Sequence, residues 1–280
     1  MKQWLQAFVA AMQFLTRIPV PVNVPFTNEV LKRSTFFFPW AGCIIGVLIW
    51  GAGVGLQLVL PSGPAAALTL ALAVALTGGL HMDGLMDTAD GVLSHRSRER
   101  MLEIMKDSRV GAMGVIICVL VLLLKWSLIS SLMTDGAWQL WLVVPFIWSR
   151  AAMVWAMTNE PYARAESGLG GYFQGLHRGH LLGAGFSAFL LSLVIVYITV
   201  SMPLDISGRS ASFTALSAYA VHPWWLLMAA PVLGLAAVWS CSSYLSKKLG
   251  GLTGDTYGAM NELTETVLLL LLVLMTGWKG

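Results

Sequence analysis

Seven times the chain passes through about twenty predominantly apolar residues, with short polar connections between the runs. The stretch from Val115 to Leu124 contains no charged residue at all. Nothing else in the sequence restricts folding so strongly. A backbone in hydrocarbon must satisfy its N–H and C=O groups internally, and helices do so segment by segment. The pattern therefore predicts an all-α, polytopic membrane helical bundle with about seven transmembrane helices, plus short cytoplasmic or interfacial helices. Of the residues, 57% are hydrophobic and 11% charged, against about 25% charged in an ordinary soluble domain.

The expected spans are 36–60, 65–82, 111–132, 138–158, 181–203, 218–240 and 260–278, all within a single domain covering 1–280. The last is the weakest, because its continuous apolar run begins only at Val267 and its first turns carry Glu262 and Glu265. Residues 2–18 are amphipathic and too short to cross, so they read as interfacial. Pro19, Pro21 and Pro25 break that stretch, and no small-residue cleavage site precedes them. Pro61-Ser-Gly-Pro64 makes a tight turn between the first two spans. Ser97 is placed to cap a short helix with Glu99 in its first turn. No internal repeat is evident. Cys43, Cys118 and Cys241 lie far apart in or beside apolar runs and read as small buried hydrophobes. Interfacial belts account for most of the 12 tryptophans.

Orientation follows from the short loops. With the amino terminus inside, thirteen Lys and Arg fall on the inner side: Lys2, Arg17, Lys32 and Arg33, then Arg96, Arg98, Arg100, Lys106 and Arg109, then Arg164, Arg178, Lys247 and Lys248. The opposite side holds Arg209, with Lys279 at the far terminus. Positive residues concentrate in the cytoplasm, so the expected location is the inner membrane with the polar motifs facing inward.

Three motifs lie on that side. In His81-Met-Asp-Gly-Leu-Met-Asp-Thr-Ala-Asp-Gly91, the carboxylates of Asp83, Asp87 and Asp90 would share an arc of roughly 60° on a helix. Three such anions repel, and a hard divalent cation such as Mg²⁺ relieves this while sharing its shell with water and substrate phosphate. The flanking Gly84 and Gly91 would let a bulky ligand approach. The bland alternative is a solvated helix end. In Lys106-Asp-Ser-Arg-Val-Gly111, Lys106 and Arg109 suit phosphate oxygens and Asp107 would extend the metal shell. Ordinary basic flanking of the next span would look the same. In Gly250 to Glu265, glycines at 250, 251, 254 and 258 could cradle an anion with their N–H groups. Glu262 and Glu265 share a helix face there, joined by Asp255 if the helix starts early. A flexible loop before a glutamate-capped helix is the rival. Lesser candidates are Arg17, Arg150 and Tyr162-Ala-Arg-Ala-Glu166, while Lys125 in mid-span is expected to snorkel or pair. His81, His95, His177 and His180 form no ligand set.

Clustered carboxylates beside basic residues suit metal-assisted phosphoryl transfer. A cation transporter would also place acids in a bundle, but has no need of five basic residues beside them.

Phe14-Leu-Thr-Arg-Ile-Pro19, Gly79 to Gly91, Arg98 to Gly111, Gly251 to Ala259 and Glu262 together resemble the cobalamin synthase family, the adenosylcobinamide-GDP ribazoletransferases. Met82 and Met86 depart from the residues expected there, which touches packing rather than chemistry. The resemblance implies a transferase joining α-ribazole, or α-ribazole 5′-phosphate, to adenosylcobinamide-GDP with loss of GMP and a requirement for Mg²⁺. It implies Asp83, Asp87, Asp90 and Glu262 as metal ligands. Asp107 or Glu265 would take the hydroxyl proton, and Lys106 and Arg109 would neutralise the leaving group. Arg17, Arg96, Gly84, Gly91, Gly254 and Asp255 would bind substrate. The lipid bilayer is a partner, nucleic acid is not, and the reading admits a homo-oligomer. A CDP-alcohol phosphotransferase is the nearer rival, although Gly91 is followed by Val-Leu-Ser rather than the Ala-Arg of that pattern.

Overall fold

A computed structural model describes residues 2–164, 169–201 and 223–277. Among them are eleven α-helices: α1 (Lys2–Leu15), α2 (Asn28–Ser34), α3 (Phe38–Gln57), α4 (Ser62–Thr77), α5 (Leu80–Leu93), α6 (Arg98–Ile104), α7 (Ala112–Thr134), α8 (Val143–Asn159), α9 (Arg178–Ser201), α10 (Leu226–Leu249) and α11 (Gly254–Gly277). Six are long and apolar enough to cross a membrane, seven if α4 and α5 count as one broken span. The chain is a polytopic helical membrane bundle.

At its centre stands α8, buried from Val143 to Val154 and apolar there apart from Ser149 and Arg150, with α3, α9, α10 and α11 packed around it. A helix without a polar face belongs in the interior. The outer helices show the complementary pattern. Leu120 and Leu123 on α7, Phe186 on α9 and Val232 on α10 are large, apolar and exposed. In water such a surface would aggregate; here it faces lipid. Buried indoles find acceptors, as Trp148 Nε1 donates to Ser192 Oγ at 3.0 Å. Trp138 and Trp141 are also buried, so belts do not account for every tryptophan.

The chain departs from its expected layout at two points that matter for function. The second span stops at Thr77, because Gly78 and Gly79 take φ of 63° and 72°, a left-handed conformation that glycine adopts without strain. The chain then turns by 88° into α5. The three aspartates therefore sit on a separate helix laid against α7 and α11. The last helix starts at Gly254, six residues before the expected 260, so Asp255 opens it and Glu262 lies two turns inside. The run expected at 218–240 is observed as Leu226–Leu249, residues 218–222 lying outside the described residues, as do Arg209, Glu166 and Lys279.

Around α5 the packing is tight. A Cβ on Gly84 would stand 2.6 Å from the Asp255 carbonyl oxygen, and one on Gly258 would stand 3.1 Å from that of His81. These glycines let α5 and α11 cross backbone to backbone. At the same end, α1 buries Ala7, Ala10, Met12 and Leu15 while Trp4 and Leu5 stay exposed. Ser97 caps α6 by accepting the N–H of Arg100, with Glu99 in the first turn as expected. The three cysteines are free and half-buried.

Candidate active site

Where α5 crosses α11, a cleft of about 160 Å³ opens at one end of the bundle. Five parts of the chain build it: the end of α1, the start of α5, the end of α8, the loop after α8 and the start of α11. The loop is fixed by backbone pairing. Leu252 N–H donates to Pro161 O at 2.8 Å, and Ala163 N–H to Leu252 O at 2.7 Å. That pairing delivers Arg164, whose Nη2 donates to Asp255 Oδ2 at 3.0 Å. Thr253 Oγ1 donates to the same carboxylate oxygen at 3.3 Å.

Asp83 and Asp255 line the cleft. Asp87, one turn along α5 from Asp83, lies within electrostatic range of Asp83, Asp90 and Asp255. Negative charge thus exceeds positive on this face, with Arg164 the one ion-paired cation there among the described residues. The opposite face is apolar, formed by Phe14, Leu80, Met153 and Met157, with the rings of Tyr162 and Tyr257 beside it. Chemically, such a cleft can hold an anionic group together with a cation and place an aromatic ring against them.

The family profile described as cobalamin-5-phosphate synthase matches residues 7–273, which include every residue of the cleft. The chain belongs to the cobalamin-5-phosphate synthase family. An adenosylcobinamide-GDP ribazoletransferase of Brevibacillus brevis is 39% identical over 270 residues, covering 96% of this chain and 98% of the relative. One from Geotalea daltonii is 37% identical, covering 98% and 99%. No solved structure matches. Family membership makes the chain a transferase of cobalamin synthesis.

Within this family member, the residues singled out from sequence separate into three groups. Asp83, Gly84, Gly254 and Asp255 line the cleft, with Asp87 one turn further along α5 and within electrostatic range of Asp83 and Asp255. Asp90 shares their helix, but both its oxygens are engaged elsewhere: it accepts the N–H groups of Gly111 and Gly114, each at 2.7 Å. It caps α7, where the helix dipole favours an anion. Among the described residues no three His, Cys, Asp or Glu side chains converge as a metal cage. The full triad is therefore not a preformed cage. Mg²⁺ is usually held by one or two carboxylates with water and phosphate completing its shell, so Asp83 and Asp87 remain a fitting donor pair.

The second group stands outside the cleft. Lys106 and Arg96 are exposed. Arg109 donates to Asp107 through Nη2 at 2.6 Å, and this guanidinium holds the Asp107 carboxyl down at about 2. A proton acceptor serves best with a pKa near the working pH, which argues against Asp107 as the base. Asp107→Asn is expected to leave the shape of the pH–rate profile unchanged between about pH 5 and 9; a lost acidic limb would restore Asp107 as proton acceptor. Arg17 is exposed and lies over Gly78, at the break between α4 and α5. Gly91 contacts Met101 and Met105 beside α6, so it serves helix packing rather than ligand approach.

Glu262 and Glu265 form the third group, paired with buried cations away from the cleft. Lys125 Nζ donates to Glu262 at 2.5 Å and to Glu265 at 2.8 Å, and Arg150 Nη1 donates to Glu265 at 2.5 Å. All four side chains are buried. Glu265 has both oxygens committed, and Glu262 lies about 10 Å along α11 from Asp255 at 1.5 Å per residue. Neither lines the cleft. The glycine loop is likewise committed: Gly250 and Gly251 N–H close the end of α10 on Ser246 O, and Thr253 N–H donates to Thr256 Oγ1. That leaves Gly254 and Gly258 as the glycines of this run that line the cleft. His81 is buried at the start of α5, lines the cleft and lies within electrostatic range of Lys125, Arg150 and Glu265.

Sequence reasoning ranked Arg164 low and passed over Met153 and Met157. Arg164 follows the polar end of α8, but only the pairing of 161–163 with Leu252 aims it at Asp255. The methionines sit four residues apart on an apolar helix, a spacing common to any packed face.

Proposed function

We propose that the chain joins α-ribazole, or its 5′-phosphate, to adenosylcobinamide-GDP with release of GMP, using Mg²⁺ at the cytoplasmic face of the inner membrane. The observation that carries this reading is the two-faced cleft, with an excess of carboxylate beside Arg164 on one side and an apolar wall on the other. The names of the relatives support the reaction. The basic residues support the orientation: Arg164 lines the cleft and also reaches the carbonyl of Met105, next to Lys106, while Lys247 and Lys248 end α10 just before Gly250, where Arg98 packs.

In this reaction the ribose hydroxyl oxygen of the acceptor bonds to the phosphorus that carries cobinamide. The bond from that phosphorus to the bridging oxygen breaks, and GMP departs with that oxygen. The hydroxyl proton leaves to water at the open mouth, where Asp83 is exposed. Mg²⁺ held by Asp83 and Asp87 would neutralise the pyrophosphate as charge builds on the leaving oxygen. Arg164, oriented by Asp255, takes non-bridging phosphate oxygens, for which a guanidinium is suited. Lys106 and Arg109 lie outside the cleft on the exposed loop before α7 and would meet the nucleotide only as it departs.

The test is turnover of purified protein in detergent with adenosylcobinamide-GDP and α-ribazole, with and without Mg²⁺, following GMP and corrin product together. Metal-dependent formation of both in equal amounts is expected. GMP release without ribazole incorporation would overturn the transfer, and undiminished turnover in EDTA would overturn the metal.

A further inference from the structure

We propose that the apolar wall of the cleft is the subsite for the flat fused-ring base of the acceptor nucleoside, gripped between Met153, Met157, Phe14 and Tyr162. The proposal rests on the transfer reaction above and names which part of which substrate the cleft holds.

Size limits the choice first. The cleft measures about 160 Å³ and opens at one end of the bundle, room for one small ring system projecting from its mouth. A corrin macrocycle is far larger, so its ring must lie outside. Three aromatic groups remain: guanine and the adenine of the adenosyl ligand on the donor, both edged with polar groups, and the benzimidazole-type base on the acceptor. Their edges differ. Guanine carries a carbonyl, a ring N–H and an amino group, and burying these without partners is costly. The wall offers thioethers and ring faces, with Leu80 beside them. A dimethylated benzimidazole exposes a hydrocarbon edge and one free ring nitrogen, and matches this surface. Methionine adds favourable sulfur contacts to aromatic rings.

The wall is also held in place. Phe14 packs against Phe38 at 6.1 Å and Phe173 at 5.2 Å between ring centroids. Met153 and Met157 lie one turn apart on the buried central helix and face the cleft together. The Tyr162 ring crosses Gly170 so closely that a Cβ there would stand 2.8 Å from its Cε2. The backbone pairing with Leu252 fixes the same residue. A base seated here leaves its sugar toward Asp83 and Arg164, where the attacking hydroxyl is needed. The wall then selects the acceptor, and the charged face handles the donor's phosphates.

Two measurements test this. In the unmodified protein, free 5,6-dimethylbenzimidazole should inhibit competitively against α-ribazole and not against adenosylcobinamide-GDP. In Met157→Ala, the KM for α-ribazole should rise about tenfold or more, the scale at which an apolar pocket reads a missing methylene. The KM for adenosylcobinamide-GDP should stay within about twofold, and the riboside of a bulkier three-ring base should gain in relative kcat/KM. An unchanged acceptor KM, or a donor KM that rises instead, would assign the cleft to a purine of the donor or to neither and overturn the subsite while the transfer reaction stands. If the base fails to compete in unmodified protein that still turns over, the subsite falls without any variant. Absence of ribazole transfer by the unmodified protein would remove the reaction itself, a distinct result.

Discussion

Asp87→Asn is expected to lower turnover by about 10²- to 10³-fold, the scale of losing one preorganised electrostatic group, while the purified protein keeps its helical content and melting temperature. The substitution keeps the shape of the side chain and removes one charge. Among the described residues Asp87 makes no hydrogen bond that holds two helices together, and it faces Asp83, Asp90 and Asp255 at close range. Removing a charge from that crowd relieves repulsion in the resting protein. The fold then gains nothing from keeping the carboxylate, and its worth lies in what it holds. Asp90→Asn makes the control, because its two oxygens accept the Gly111 and Gly114 N–H groups at the start of α7. The amide keeps one acceptor oxygen and sets an NH2 group against the other N–H, and loss of that one hydrogen bond costs about 1 kcal/mol of stability, read as a lower melting temperature. Steady-state rates and thermal melts of the two variants side by side decide the matter. Near-normal turnover in Asp87→Asn would remove this residue from metal and phosphate handling.

That two aspartates three residues apart differ so much in role shows where the sequence stops being informative. Helical spacing places Asp83, Asp87 and Asp90 on one face, and that much was legible because period and rise are properties of any helix. Which neighbour each carboxylate meets depends on how α7 and α11 cross α5, and glycines decide it. The number of spans was legible from hydropathy, since a crossing helix needs about twenty apolar residues wherever it lies. The break at Gly78 and Gly79 was not, because a paired glycine is compatible with a continuous span until its φ values are known. Arg164 was visible only as one basic residue in a loop. Its meaning came from the backbone pairing of 161–163 with Leu252, a contact across 89 residues of chain that no local pattern encodes.

The same limit explains the glutamates, and it yields the second large effect. Lys125→Met is expected to destabilise the protein by about 3–5 kcal/mol, because it leaves buried carboxylates short of a cation. Glu262 and Glu265 would then share Arg150 alone, whose Nη1 reaches Glu265. In the intact cluster two cations meet two anions, all buried, so the charges balance inside the bundle. The double variant Lys125→Met with Glu262→Gln restores that balance with Arg150 and Glu265 as the remaining pair. It is expected to recover most of the melting temperature lost in the single variant, and turnover with it. A cycle of the two single variants and the double variant separates this coupling from simple loss of packing. Turnover discriminates more sharply than melting. From sequence, Glu262 is expected as a metal ligand and Asp107 or Glu265 as the proton acceptor, and a residue with such a role is not replaced by deleting its partner. If Lys125→Met/Glu262→Gln melts like the parent but stays inactive, Glu262 belongs to the chemistry after all. If stability and turnover return together, the cluster is a neutral clamp joining α7, α8 and α11 beneath the cleft. Its contribution to catalysis is then to hold the start of α11, and with it Asp255, against α5.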